Sequence, residues 1–173
     1  MELRVGGDVS ATAEFVVVET GEHLVARGVV VETVRGDGFV LEAPLGRLDS
    51  DGRLRVLEGG VLGQGGGVVM DSQRVELRYD SSQRLVSVEA SGEVEVTRVP
   101  SKATGGDSEL AWPWVATGDT VSVDWLKRRL EVRGDVRFTE EGRVSVGGVI
   151  AIPLNGDHAV CEGCRSALAE GEE

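Results

Sequence analysis

One phrase returns four times in this chain: a polar turn, apolar residues at alternate positions, a glycine, and then further alternating apolar residues. The copies are HLVARGVVVE (23–32), RLRVLEGGVLG (53–63), RLVSVEASGEVEVT (84–97) and RLEVRGDVRFT (129–139), centred on Gly28, Gly60, Gly92 and Gly134. These glycines lie 32, 32 and 42 residues apart, and the longer last interval holds the insertion KATGGDSELAWPW (102–114). Successive side chains of a strand point to opposite faces, so only residues of shared parity build one apolar face. Leu130, Val132, Gly134, Val136 and Phe138 share one parity, while Arg129, Glu131, Arg133, Asp135 and Arg137 share the other. Val86, Val88, Ala90, Gly92, Val94 and Val96 repeat the pattern. A glycine on the apolar face of an unbroken alternation fits a long strand that bends there and folds the sheet over itself. The alternative is a pair of short strands joined by a tight turn at the glycine.

Between the phrases lie the return strands, FVLEAPLGRLD (39–49), VVMDSQRVELRYD (68–80), WVATGDTVSVDW (114–125) and RVSVGGVIAIPL (143–154). The connections RGDG (35–38), DSDG (49–52), DSSQ (80–83) and EEG (140–142) are rich in turn formers and short enough for hairpins, so sequential strands pair antiparallel. With 25 glycines, 4% aromatic residues and valine dominating a 40% hydrophobic content, the composition also favours strands over packed helices. The expected fold is all-β, an antiparallel, folded-over and twisted sheet with one continuous apolar interior. Residues 1–155 form the domain, with 1–40 a weaker first repeat, and residues 156–173 read as a polar flexible tail. An open sheet has edges, and the terminal strand candidates FVVVE (15–19) and VIAIPL (149–154) are poorly defended, although Pro153 partly spoils the second.

A net charge of -12 repels phosphate backbones and anionic membrane surfaces, which weighs against nucleic acid as a partner. No run approaches the ~20 apolar residues of a membrane helix. The start MELRVGGDVS lacks the three regions of a signal peptide, so the sequence reads as cytoplasmic or already processed. There is no G-x-S-x-G and no H-E-x-x-H, and only His23 and His158 are available as histidine bases, so a non-enzymatic protein without cofactor or metal is expected. The GQGGG run (63–67) is followed by strand-like VVM rather than a helix, which argues against a phosphate cradle. Asp119 reads as a turn-capping carboxylate rather than a metal ligand. Trp112 and Trp114 flank Pro113 and serve either as loop anchors or as a stacking surface for sugars, and Trp125 reads as interior. The spacing His158-x-x-Cys161-x-x-Cys164 is one ligand short of a closed zinc site, which leaves an unstructured tail or a local disulfide as the readings of the two cysteines.

The ordered series GGVVMDSQRVELRYDSSQRLVSVEASGEVEVTR and ATGDTVSVDWLKRRLEVRGDVRFTEEGRVSVGG resembles the repeats of OstA-like domains, the family of periplasmic lipopolysaccharide-transport proteins of the LptA kind. The family phrase A-x-G-D-x-V, a turn, then L-x-V-x-G-x-V is carried here by Ala116, Gly118, Asp119, Val121, Leu130, Val132, Gly134 and Val136. The resemblance implies a twisted β-jellyroll in the periplasm. Its apolar groove would shelter lipopolysaccharide acyl chains on the way to the outer membrane. It further implies head-to-tail stacking on itself and on LptC- and LptD-like β-jellyroll domains, and it leaves open an LptC-like role for this chain. Parity then gives Val86, Val88, Val94, Val96, Val121, Val123, Leu130, Val132, Val136 and Phe138 as groove-lining residues. Two other readings stand beside it: a self-assembling, bactofilin-like β-solenoid with a filled interior, and a carbohydrate-binding β module using the tryptophans.

Overall fold

The computed structural model describes residues 1–5, 9–19, 23–33, 39–65, 68–98, 114–124, 127, 129–140, 142–153 and 160–167. Among them the chain forms strands joined by turns and bends, with no helix. In order these are β1 (Glu2–Leu3), β2 (Val9–Thr12), β3 (Phe15–Glu19), β4 (His23–Thr33), β5 (Val40–Leu48), β6 (Leu54–Gly65), β7 (Val68–Tyr79) and β8 (Leu85–Arg98). There follow β9 (Trp114–Asp124), β10 (Arg129–Arg133), β11 (Arg137–Glu140), β12 (Arg143–Val146), β13 (Val149–Pro153), β14 (Val160–Glu162) and β15 (Arg165–Ala167). All belong to one antiparallel sheet whose path runs from β1 to β14 without closing into a barrel.

The glycine phrase is where this sheet folds. Gly28, Gly60, Gly92 and Gly134 all have positive φ, and so do Gly59, Glu93 and Asp135 beside them. In β6 and β8 the ladders to neighbouring strands shift register at this point, between Glu58 and Val61 and between Ser91 and Val94. These are bulges, which bend a strand without ending it. Gly134 does the same between two shorter strands, because β10 and β11 both pair with β9, at Arg133↔Thr120 and Arg137↔Thr117. The row of bends divides the sheet into two leaves. The first leaf holds β3, β10, β13, β14 and one half of each long strand; the second holds β1, β2, β11, β12, β15 and the other halves. The first three copies of the phrase are therefore long strands that bend, while the fourth is two short strands, β10 and β11, parted at Gly134 and laid along the same neighbour.

The two leaves share one core, since Val88, Ala90, Val132 and Ile150 of the first cluster with Val31, Met70, Val96 and Ala116 of the second. Parity survives the bend: Val88 and Ala90 before Gly92 are buried, as are Val94 and Val96 after it, while Gly92 itself is exposed. The hairpins at the first leaf's end are two copies of one turn. The Asp49 carboxylate accepts hydrogen bonds from the Asp51 and Arg53 amides, and the Asp80 carboxylate accepts from those of Ser82 and Arg84, all at 2.9 Å. In both, the last loop residue is left-handed, Gly52 at φ 78° and Gln83 at φ 64°.

One of the two ends of the sheet differs from expectation. At the N-terminal side β3 is an edge of the first leaf, pairing with β4. The chain before it runs from β1 to the Arg4 carbonyl, which accepts a hydrogen bond from the Leu54 amide at 3.0 Å. At the other side β13 is not an edge, because β14 pairs with it, and β15 pairs with β12. Residues 160–167, expected to belong to a flexible tail, therefore complete both leaves, and Cys161 and Cys164 are joined by a disulfide. The run 143–154, read as one return strand, is two, β12 and β13, parted at the left-handed Gly147 and Gly148, and β14 and β15 are each below the length at which periodicity can be read.

Candidate functional site

The register of the ladders builds two long apolar stripes. On the first leaf, consecutive cross-strand partners run Ala26, Gly46, Leu57, Val75, Ala90, Val121, Val132, Ile150 and Cys161. On the second they run Ala11, Val31, Leu41, Gly63, Met70, Val96, Ala116 and Phe138. With adjacent strands about 4.8 Å apart, the first stripe extends roughly 38 Å across the sheet. A second row, Leu77, Val88, Val123, Leu130 and Ile152, runs alongside it on the first leaf. Hydrophobic burial of this kind contributes about 1.5–3 kcal/mol for each large aliphatic side chain, so the stripes are also what hold the leaves together.

Most of the residues taken from parity meet in this interior. Val121 and Val132 lie in the first stripe, Val88, Val123 and Leu130 in the row beside it, and Val96 and Phe138 in the second stripe, while Val94 and Val136 flank the bends. The eight aliphatic residues expose no more than 2% of their surface and Phe138 exposes 8%. Val86 stands apart. The β7–β8 ladder passes from Tyr79↔Leu85 to Arg78↔Ser87, so Val86 is the extra residue of a bulge and is half-buried, and Leu85 takes the interior place. Alternation cannot reveal a bulge that lacks a glycine or proline to mark it.

The interior is closed to solvent. Where the leaves meet near the N-terminal side, Val29 of the second leaf fills the space over Gly46 of the first, its Cγ2 within 2.9 Å of where a Cβ would lie. On the outer, exposed side of the bends the adjacent strand lies against the glycines, the Asp119 carboxylate against Gly134 and the Gln73 side chain against Gly92. The Asp119 amide in turn donates to the Gly134 carbonyl at 2.9 Å. Trp114 opens β9 as a buried residue, 5.6 Å from the Phe138 ring, with the Arg98 guanidinium over it at 5.9 Å. Trp112, Trp125, His158 and the side chain of His23 lie outside what is described, as do residues 102–113.

Apart from Arg98, which is buried against Trp114, the charged side chains of the described residues are exposed or half-buried. On the first leaf's outer face Glu58 bridges Arg47 at 2.8 Å and Arg74 at 3.5 Å, Arg78 meets Glu89 at 3.0 Å, and Glu131 joins both Arg129 and Arg133. Such exposed pairs contribute little individually, but opposite charges on neighbouring strands favour this register over a slipped one. At the hairpin end, Tyr79 donates its hydroxyl to the Leu54 carbonyl at 2.5 Å and carries the Arg53 and Arg55 guanidinium groups near its ring, at 5.4 and 4.9 Å. Burial pushes this phenol up to about 12, against the pull of the two arginines. Burial would raise the Asp49 carboxyl as well, but hydrogen bonds from the Arg53 amide, the Arg55 guanidinium and the Asp51 amide outweigh it and hold it below its ordinary value. Among the described residues no group of His, Cys, Asp and Glu is arranged to hold a metal.

No family model and no curated protein matches the sequence. Among solved structures the chain is similar to LptH, the LptA homologous periplasmic component of the lipopolysaccharide transport device of Pseudomonas aeruginosa. The TM-score is 0.48 at 14% identity, over 88% of this chain and 80% of that one.

Proposed function

We propose that the protein is a non-enzymatic periplasmic carrier that shelters lipopolysaccharide acyl chains between its two leaves, as a bridge to LptC- or LptD-like β-jellyroll partners. The observation that carries this reading is the pair of unbroken apolar stripes in a sheet that does not close into a barrel. Methylene groups gain about 0.8 kcal/mol each on leaving water, so acyl chains favour such a stripe while phosphate and sugar stay at the charged exterior. The closed interior requires the leaves to part when a chain enters, and the bends are the natural hinge. The ordered phrase around Ala116–Val136 agrees with this reading. The exposed Phe15 and Val17 on edge strand β3 suit association with a partner's strand.

Titration calorimetry with lipopolysaccharide, and with the same molecule stripped of its acyl chains, tests the proposal. Binding of the first and not of the second is expected; binding of both alike, or of neither, would contradict it. The negligible solvent exposure of the stripes favours a second reading, a filled β scaffold that assembles through its edges. It predicts filaments under the electron microscope and no uptake of lipid.

A further inference from the structure

The Cys161–Cys164 pair occupies a distinctive place. It sits where the chain passes from β14, the last strand of the first leaf, to β15, the last of the second. Each of these strands is three residues long and has one neighbour: β14 pairs with β13 at Val149↔Glu162, Ile150↔Cys161 and Ala151↔Val160, and β15 pairs with β12. The two Cα atoms are 5.7 Å apart, within the usual range for a disulfide, and Cys164 Sγ lies 3.0 Å from the Gly147 carbonyl at the β12–β13 bend. Both cysteines are half-buried against the core, but Val160, Glu162 and Gly163 around them are exposed, so a thiol from solution can reach the sulfurs. Strands this short have too few ladder bonds to hold themselves in place, and accessible disulfides within short C-x-x-C spacings are the labile kind.

We infer that Cys161–Cys164 is a reversible thiol–disulfide site that latches β14 and β15 over the ends of the two leaves. Oxidation joins the two Sγ atoms and releases two protons and two electrons, taken up by an incoming small-molecule or protein disulfide that departs as two thiols. Reduction by a dithiol runs the exchange in reverse through a mixed disulfide on one cysteine. In the oxidised protein β14 covers the edge of β13. In the reduced protein the segment detaches and bares the edge of β13 at Val149–Ala151, able to accept a strand from another chain. This inference does not depend on what the interior carries.

Hydrogen exchange read by mass spectrometry on the full chain tests it, with the protein equilibrated in oxidised glutathione and then in dithiothreitol. Exchange at Val149–Ala151 should accelerate by about tenfold or more on reduction, while β7 and β8 stay unchanged, and should slow again on reoxidation. The double variant Cys161→Ser/Cys164→Ser should exchange fast at β13 in both buffers. Identical exchange in the two buffers would overturn the latch. So would acceleration that spreads through β7 and β8, because the disulfide would then be a general staple rather than a local catch.

Discussion

The bends require glycine for two separable reasons, and two alanine substitutions measure them apart. At Gly60, φ is +96° and an added Cβ would meet nothing within 4 Å, so Gly60→Ala suffers the backbone penalty of a left-handed residue, about 1–2 kcal/mol. At Gly134, φ is +78° and the new Cβ would lie 2.5 Å from Asp119 Oδ2 and 2.8 Å from Asp119 Cβ. Steric overpacking adds about 1–3 kcal/mol there, for a total of roughly 2–5 kcal/mol. For a chain of this length each kcal/mol moves Tm by about 2–4 °C, so Gly134→Ala should melt well below Gly60→Ala. In an Asp119→Gly background the steric part disappears, and the cost of Gly134→Ala should fall to that seen at Gly60. Urea unfolding followed by far-ultraviolet circular dichroism gives the stabilities of the parent chain and of the four variants. Equal costs at the two glycines, or a Gly134→Ala penalty that persists without the Asp119 side chain, would refute this account of the bend.

Three further outcomes follow from particular contacts. The buried Ser72 hydroxyl has no hydrogen-bond partner among the described residues, so Ser72→Ala should stabilise the fold by about 1 kcal/mol in urea melts, and destabilisation would show that the hydroxyl is satisfied. Gln83 holds a left-handed conformation that its counterpart Gly52 adopts freely, so Gln83→Gly should gain up to about 1 kcal/mol, less what is lost with its contact to Arg53; a net loss would show that contact to dominate. Because folding raises the Tyr79 hydroxyl from 10.0 to about 12, its contribution is complete below pH 10 and is lost as pH rises through 12, whereas that of Asp49, held below 3.8, is lost as pH falls through the acid range. Urea midpoints across pH should show both declines, and Tyr79→Phe should flatten the alkaline one; an alkaline decline unchanged in that variant would assign it to another group.

Much of this architecture was legible because each unit of the repeat combines two strong signals. Alternation at Leu130–Phe138 and Val88–Val96 fixes which face is buried, and the recurring glycines mark where the face turns a corner. The Asp49 and Asp80 turns were equally readable, since an aspartate that accepts from amides two and four residues ahead is a local device. What escaped the sequence depends on register. Leu85 displaces Val86 through a bulge that only the partner strand reveals. β14 and β15 are three residues each, and they become strands because β13 and β12 offer them an edge, which no property of VCE or RSA announces. The side chains over the bends, Gln73 and Asp119, sit on neighbouring strands far from the glycines in sequence, so their role appears only when the ladders are known.

In the proposed carrier, acyl chains occupy the space between the stripes. A photo-crosslinking residue placed at Val132 or at Val96 faces that space from either leaf, and one placed at Arg133 faces out. After incubation with lipopolysaccharide and irradiation, the account predicts labelled adducts at Val132 and Val96 and none at Arg133. Equal labelling on both faces, or none at either interior position, would contradict it.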